Sequence, residues 1–182
     1  MKGCLHSYKT ALRVGAAVNL AVDAFIIYAV WRWADWKNWR KYHASMVFAG
    51  AMGLLYNVMV LTHNFFLWKM TPAVFTYTVE EIIHCFILLP GTALLFLSKW
   101  PSKLSRQLKY LLKFIVIYFA VEVVWHYFGG IVYFNGWCTL FSLLFYCIMF
   151  PGILLHYKKP GLAYALFLLC TVLGVWVFKI PF

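Results

Sequence analysis

Six long apolar runs are the feature that most constrains how this sequence can fold. A helix that crosses the hydrocarbon core of a bilayer needs about 20 mostly apolar residues, and each run reaches or approaches that length. We place the runs at 12–31, 44–62, 72–97, 108–134, 137–157 and 161–177. The sequence therefore predicts an all-α integral membrane bundle of about six transmembrane helices, with residues 1–182 forming a single domain.

Composition and the joints between runs support the same fold class. Only 12% of the 182 residues are charged, whereas an ordinary soluble domain has about 25%. The joints are short and contain helix-breaking pairs such as Trp100–Pro101, Asn135–Gly136 and Pro160–Gly161. We expect the first run to be a retained span and not a cleavable signal peptide, because it is long and contains Asn19 and Asp23.

The sixteen Lys and Arg residues are unevenly distributed among the joints. Eleven of them lie in the segments that follow the first, third and fifth runs or, for Lys109 and Lys113, in the first turns of the run after them, and five lie on the other side. By the positive-inside rule, the richer side is cytoplasmic and both termini are outside. The pattern predicts a multi-pass protein of the plasma membrane, which in a bacterium is the inner membrane.

Membrane lipids are the partners that this distribution predicts. The segment 31–43, WRWADWKNWRKYH, interleaves tryptophans with cations, as is typical of an aromatic belt at the headgroup layer. The basic residues are spread among loops with no accompanying nucleic-acid-binding motif, so we expect no nucleic acid to bind. A second copy of the chain or another membrane protein is left open as a partner.

Titratable side chains interrupt the third run. A carboxylate or imidazole at bilayer depth costs roughly 2.5–3.5 kcal/mol unless it faces protein or water. At about 100° per residue, four side chains share one face of the predicted helix. These four are Tyr77, Glu80, Glu81 and His84.

A second polar stripe lies on the fourth run. Glu122 and His126 are four residues apart and therefore share a helix face. Asn57 of the second run and Asp23 of the first add further polar groups at overlapping depths. Since hydrocarbon cannot satisfy such groups, we expect them to converge on an interior polar cavity between the third and fourth spans.

Several functions are compatible with such a cavity. Binding, transport or sensing of a small solute, a lipid headgroup or a proton is the function that the pattern favours. A bundle that uses these groups only for interhelical hydrogen bonds is one alternative. An acid–base enzyme acting on a lipid-soluble substrate is another, with no catalytic residue assigned.

No metal or cofactor is predicted. Glu81 and His84 have the i,i+3 spacing of di-iron carboxylate bundles, but Glu122 and His126 are spaced i,i+4 and the further carboxylates are missing. The sequence contains no phosphate-binding loop. Any coupling to nucleotide hydrolysis would therefore need another protein.

Short motifs between about residues 36 and 163 give the chain one resemblance. They are LLYN at 54–57, LLP at 88–90 with Trp100–Pro101, Glu122, YFNGW at 133–137 with Ser142, and LHYKKP at 155–160. In these motifs the chain resembles an uncharacterised family of small multi-pass membrane proteins of endospore-forming bacteria. The resemblance implies a polytopic bacterial membrane protein and brings no established activity, ligand or site residue with it.

Overall fold

The structure, a computed structural model, describes residues 2–72 and 76–181, with side chains from Arg13 onward. It is 80% helical. In chain order the α-helices are α1 (Lys2–Trp33), α2 (His43–Thr62), α3 (Tyr77–Ile83), α4 (Leu89–Ser98), α5 (Leu104–Tyr127), α6 (Thr139–Lys158) and α7 (Pro160–Phe178). A 3-10 helix, Trp36–Lys41, joins α1 to α2, and two strands are β1 (Trp68–Met70) and β2 (Ile131–Tyr133).

Five helical stretches in the described part of the chain are long and apolar enough to cross a membrane. They are Arg13–Trp33, His43–Thr62, Tyr77–Ser98, Thr139–Lys158 and Pro160–Phe178. The predicted all-α class is confirmed. Helix α5, inside the predicted fourth run, has 24 residues but is not among the five, so the bundle of six spans stays a prediction.

Two helices begin at residues other than the start of the predicted run. Helix α1 begins at Lys2, but its part that is long and apolar enough to span a membrane begins at Arg13, close to the predicted residue 12. The third run was predicted from residue 72, whereas α3 begins at Tyr77, and residues 73–75 lie outside the described part.

The third span contains a turn of π-helix. Between α3 and α4, residues His84–Leu88 form a π segment, in which the N–H of Leu89 donates to the carbonyl of His84 five residues earlier. Pro90 follows at once and has no N–H to give to the preceding turn. We attribute the wider turn to this proline, which removes the i,i+4 hydrogen bond that would continue the α-helix through it.

A two-stranded antiparallel ribbon, β1 with β2, was not predicted from the sequence. The fourth run was predicted as helical to residue 134, which is wrong, because α5 ends at Tyr127. Gly129 follows with a φ of +74°, a backbone conformation that glycine adopts without the steric cost of a Cβ. The β-branched and aromatic sequence Ile131–Tyr133 then favours a strand.

The ribbon joins the segment between α2 and α3 to the segment between α5 and α6. Its register pairs Trp68 with Tyr133, Lys69 with Val132 and Met70 with Ile131.

The main apolar core lies where α4 packs with α2, α5 and α6. Its most buried side chains include Leu94 and Phe96 of α4 and Phe150 of α6, each with no exposed surface. Gly50 of α2 allows close approach to the π segment, since a Cβ there would lie 2.4 Å from the carbonyl oxygen of Cys85. The π segment is therefore fixed against α2 by backbone contact.

Candidate functional site

The first polar set links α2 to α3 through Asn57. The Asn57 carboxamide is 5% exposed, and its Nδ2 donates to Glu81 Oε2 at 2.8 Å. The Tyr77 hydroxyl lies 3.4 Å from Asn57 Oδ1, to which it donates. Asn57 Nδ2 also lies 3.5 Å from Cys85 Sγ. The structure thus brings together Asn57, Tyr77 and Glu81, three of the residues predicted as site candidates.

Two polar atoms beside this set are buried without a hydrogen-bond partner. They are Glu81 Oε1 and His84 Nδ1, although the Tyr77 hydroxyl lies near enough to the Glu81 carboxyl to interact with it. Both residues lie on the stripe that the sequence predicts, and His84 is the first residue of the π segment. Its ring meets the Trp68 ring edge-on at 6.2 Å. Buried polar atoms are nearly always paired in native proteins, so two orphaned ones on successive turns mark a site with spare hydrogen-bonding capacity.

Two further site candidates, Glu80 of α3 and Asp23 of α1, lie where these two helices approach each other. Glu80 is 5% exposed, like Glu81. It lies near enough to Asp23, a half-buried residue of α1, for the two carboxyl groups to interact. The third span therefore presents one carboxyl toward α2 and another that is coupled to α1.

The second polar set is centred on Glu122 of α5. The Tyr133 hydroxyl donates to Glu122 Oε1 at 2.7 Å, and the Tyr146 hydroxyl donates to Oε2. Ser142 Oγ donates to the Tyr133 hydroxyl at 3.3 Å, and Trp137 Nε1 donates to Ser142 Oγ at 3.0 Å. Glu122 is 8% exposed, and both of its oxygens have a hydroxyl donor.

His126 supports this second set from one turn further along α5. Its ring stacks on Tyr133 with centroids 4.0 Å apart, and Nδ1 lies 2.9 Å from the carbonyl oxygen of Ile131. Burial, together with the neighbouring Glu122, raises the pKa of the Tyr133 phenol, although the Ser142 hydrogen bond opposes this. Tyr133 therefore stays a neutral hydroxyl donor at ordinary pH.

A third set of hydrogen bonds fastens the ribbon to the helices. Trp125 Nε1 donates to Asn19 Oδ1, and Asn19 Nδ2 donates to the carbonyl of Thr71. Thr71 Oγ1 donates to the carbonyl of Gly129 at 2.7 Å. Trp125 and Thr71 were not singled out in the sequence. The only signal was Asn19, a carboxamide in an apolar run.

The predicted site residues therefore fall into separate sets. Glu81 has its hydrogen bond with α2, whereas Glu122 has its hydrogen bonds with Tyr133 and Tyr146, which lie on β2 and α6. A hydrogen bond of 2.7 Å between Thr92 and Tyr118 joins α4 to α5 elsewhere. Residues 2–72 and 76–181 contain no group of three or more His, Cys, Asp or Glu side chains that could hold a metal ion.

Comparison with known proteins gives no assignment. No family model matches the chain, and neither a curated protein nor a solved structure gives a match. The chemistry of the site has to be inferred from its own residues.

Proposed function

We propose that this chain is a multi-pass protein of the bacterial plasma membrane that binds a proton or a small polar solute at Glu81 and His84. Six helices span the bilayer in this proposal, with α5 as the fourth, and the loops after the first, third and fifth spans are cytoplasmic. Membrane lipids surround the bundle. Most of α7 supports this, since Leu168 and Trp176 are 67% and 78% exposed.

The observation that carries the proposal is the pair of orphaned polar atoms, Glu81 Oε1 and His84 Nδ1. Leaving a buried donor or acceptor unpaired costs about 1–3 kcal/mol. In a helix as apolar as Tyr77–Ser98, such a cost is sustained where the group has a task that needs it free. A proton taken up by the Glu81 carboxyl would remove its charge, and a polar solute could hydrogen-bond to either atom.

The π segment supports the same site. Single π turns inside α-helices occur frequently at functional sites. The extra residue in the turn changes the direction of the neighbouring side chains. Here the turn begins at His84, and Gly50 and Gly53 of α2 approach it closely. A binding site held this way keeps a fixed geometry against α2.

A purely structural role fits the hydrogen-bonded set around Glu122 better than the set around Asn57 and Glu81. Both oxygens of Glu122 accept a tyrosine hydroxyl, and the donors come from β2 and α6. A carboxyl satisfied on both oxygens has little left to offer a ligand. We therefore assign Glu122 to joining α5, the ribbon and α6, and Glu81 to binding.

Matched glutamine variants test this division. In lipid vesicles, infrared spectroscopy of the wild-type protein should show a carboxyl band that changes with pH. Glu81→Gln should abolish that change, because the amide cannot take up a proton, and His84→Gln should move the pH at which it occurs. Glu122→Gln is the control and should leave the change in place.

Two results would contradict the proposal. The first is a pH-dependent band that persists unchanged in the Glu81→Gln protein. The second is a Glu81→Leu protein that matches Glu81→Gln in unfolding free energy and in every cellular phenotype, because the polar site would then be incidental.

A further inference from the structure

A cleft on the ribbon has none of the interior-site residues in its lining, although its Lys69 contacts the ring of Tyr77 from the first polar set. It has a volume of about 270 Å³ and is lined by Asn64, Phe66, Lys69, Phe134 and Asn135. We propose that this cleft binds a small organic anion, whose carboxylate or phosphate head lies against Lys69 and the two carboxamides, and whose apolar body lies between the two phenyl rings.

The ribbon places Lys69 on the side facing away from the core. Side chains alternate along a strand, and the neighbours of Lys69 in β1 are turned inward: Met70 is 4% exposed, and Trp68 stacks on Tyr56 with centroids 4.6 Å apart. Lys69 pairs with Val132, which is 39% exposed. The ammonium group is therefore directed to the outer face of the ribbon.

Two aromatic rings hold the ammonium group in place. Lys69 Nζ lies 4.6 Å from the centroid of the Phe66 ring and 4.7 Å from that of Tyr77. Contacts of this kind stabilise a cation without neutralising it. A lysine fixed in this way loses less freedom on binding an anion than a lysine on an open surface does.

The charge balance of the cleft favours an anion. The segments that form it, 64–69 and 134–135, contain Lys69 but no Asp or Glu. Asn64 and Asn135 both adopt the left-handed backbone conformation, with φ of 51° and 48°. Asn135 Nδ2 donates to the Phe66 carbonyl at 2.7 Å, which fixes that carboxamide beside the cleft. One cation and two amide groups can together solvate an oxyanion.

The size and lining restrict the ligand class. Clefts that enclose drug-sized ligands have volumes of roughly 300–1,000 Å³, so this one suits a smaller molecule. Phe66 and Phe134 provide two apolar surfaces, and Phe134 is 44% exposed. A carboxylate or phosphate attached to a compact apolar group fits these features better than a bare inorganic ion does.

Benzoate is the probe for the test. The full-length protein would be placed in nanodiscs of zwitterionic lipid, and benzoate binding measured by titration calorimetry. Wild type should bind saturably, and Lys69→Gln should weaken the affinity about 10- to 100-fold, as expected for loss of a hydrogen bond to a charged group. Lys69→Arg should retain binding, which separates loss of charge from loss of fold.

The matched control is Lys179→Gln, which removes an exposed positive charge outside the cleft. It should change the affinity for benzoate by less than about twofold, because salt screens a distant charge. Glu81→Gln should also bind benzoate, because Glu81 does not line the cleft. Wild type that shows no saturable binding, or Lys69→Gln that binds as wild type does, would overturn the proposal.

A competition arm identifies the source of the anion. If phosphatidylglycerol in the nanodisc displaces benzoate from wild type, the site takes a lipid headgroup. If it does not and added inorganic phosphate does, the site takes a phosphate from solution. If neither competes while Lys69-dependent binding persists, the ligand is a soluble carboxylate.

Discussion

Tyr146 illustrates how one hydroxyl can hold two helices together. It lies on α6 and donates to Glu122 of α5, while the second oxygen of the same carboxyl accepts from Tyr133. Inside a membrane, helices gain little from the hydrophobic effect when they associate, so such hydrogen bonds and tight packing determine how they pair.

Tyr146→Phe should therefore destabilise the protein by about 1–2 kcal/mol, since it removes a donor and leaves a buried oxygen unpaired. The free energy of unfolding in bicelles would measure this. Tyr164→Phe is the matched control, because Tyr164 is 52% exposed and its hydroxyl makes no hydrogen bond within the described residues. Equal stability of the two variants would show that the hydrogen bond from Tyr146 to Glu122 contributes nothing.

The sequence singled out Asn57, three glutamates and Asn19 as polar groups in apolar runs, but it missed the buried Ser45, Thr92 and His156 and did not show how the groups pair. The helical spacing of Tyr77, Glu81 and His84 identifies a shared face within one helix. It does not show which neighbouring helix that face meets. Glu81 therefore has its partner in Asn57 of α2, whereas the sequence suggested α5.

The contact between α2 and the π segment depends on glycine. A Cβ at Gly50 would lie 2.4 Å from the Cys85 carbonyl oxygen, and one at Gly53 would lie 2.5 Å from Leu89 Cδ1. The first obstacle is backbone and cannot move without displacing the turn. The second is the end of a flexible side chain.

Gly50→Ala should consequently cost about 1–3 kcal/mol, the usual range for overpacking, and should cost more than Gly53→Ala. Gly152→Ala serves as control, because nothing lies within 4 Å of a Cβ there, and it should leave stability nearly unchanged. Unfolding of the three purified variants under the same conditions would rank them. A Gly50→Ala protein as stable as Gly152→Ala would contradict the close approach.

Elements with long periodic runs could be predicted, and short ones could not. The two ends of α2 were predicted to within one residue, at 44 against His43 and at Thr62. The strands have three residues each, which is too short for alternation to stand out. Pro90 indicated a break in the third span, but the sequence does not specify that the break takes the form of a π turn.

The distribution of basic residues over the whole molecule predicts its orientation in the membrane. Ser102, in the lysine-rich segment between α4 and α5, and Cys138, between β2 and α6, are both exposed. They lie at opposite ends of α5. The positive-inside rule places Ser102 in the cytoplasm and Cys138 outside.

Labelling of intact cells with an impermeant maleimide would check this orientation. A protein that retains only Cys138 should react without permeabilisation. A protein that lacks native cysteines and carries Ser102→Cys should react only after the membrane is opened. The opposite pattern would mean that the topology is inverted, and reaction of both before permeabilisation would mean that α5 does not cross the bilayer.

The bonds of Asn19 also set an order of events during synthesis. Asn19 is in the first helix, and Trp125, which donates to its carboxamide, is added 106 residues later. At about 5–20 residues per second, a ribosome needs roughly 5–20 s to cover that interval. The Asn19 amide nitrogen can donate to the Thr71 carbonyl once that residue has been added, but the amide oxygen has no final donor until Trp125 follows. Nascent chains that end before Trp125 therefore leave the Asn19 amide oxygen without its donor.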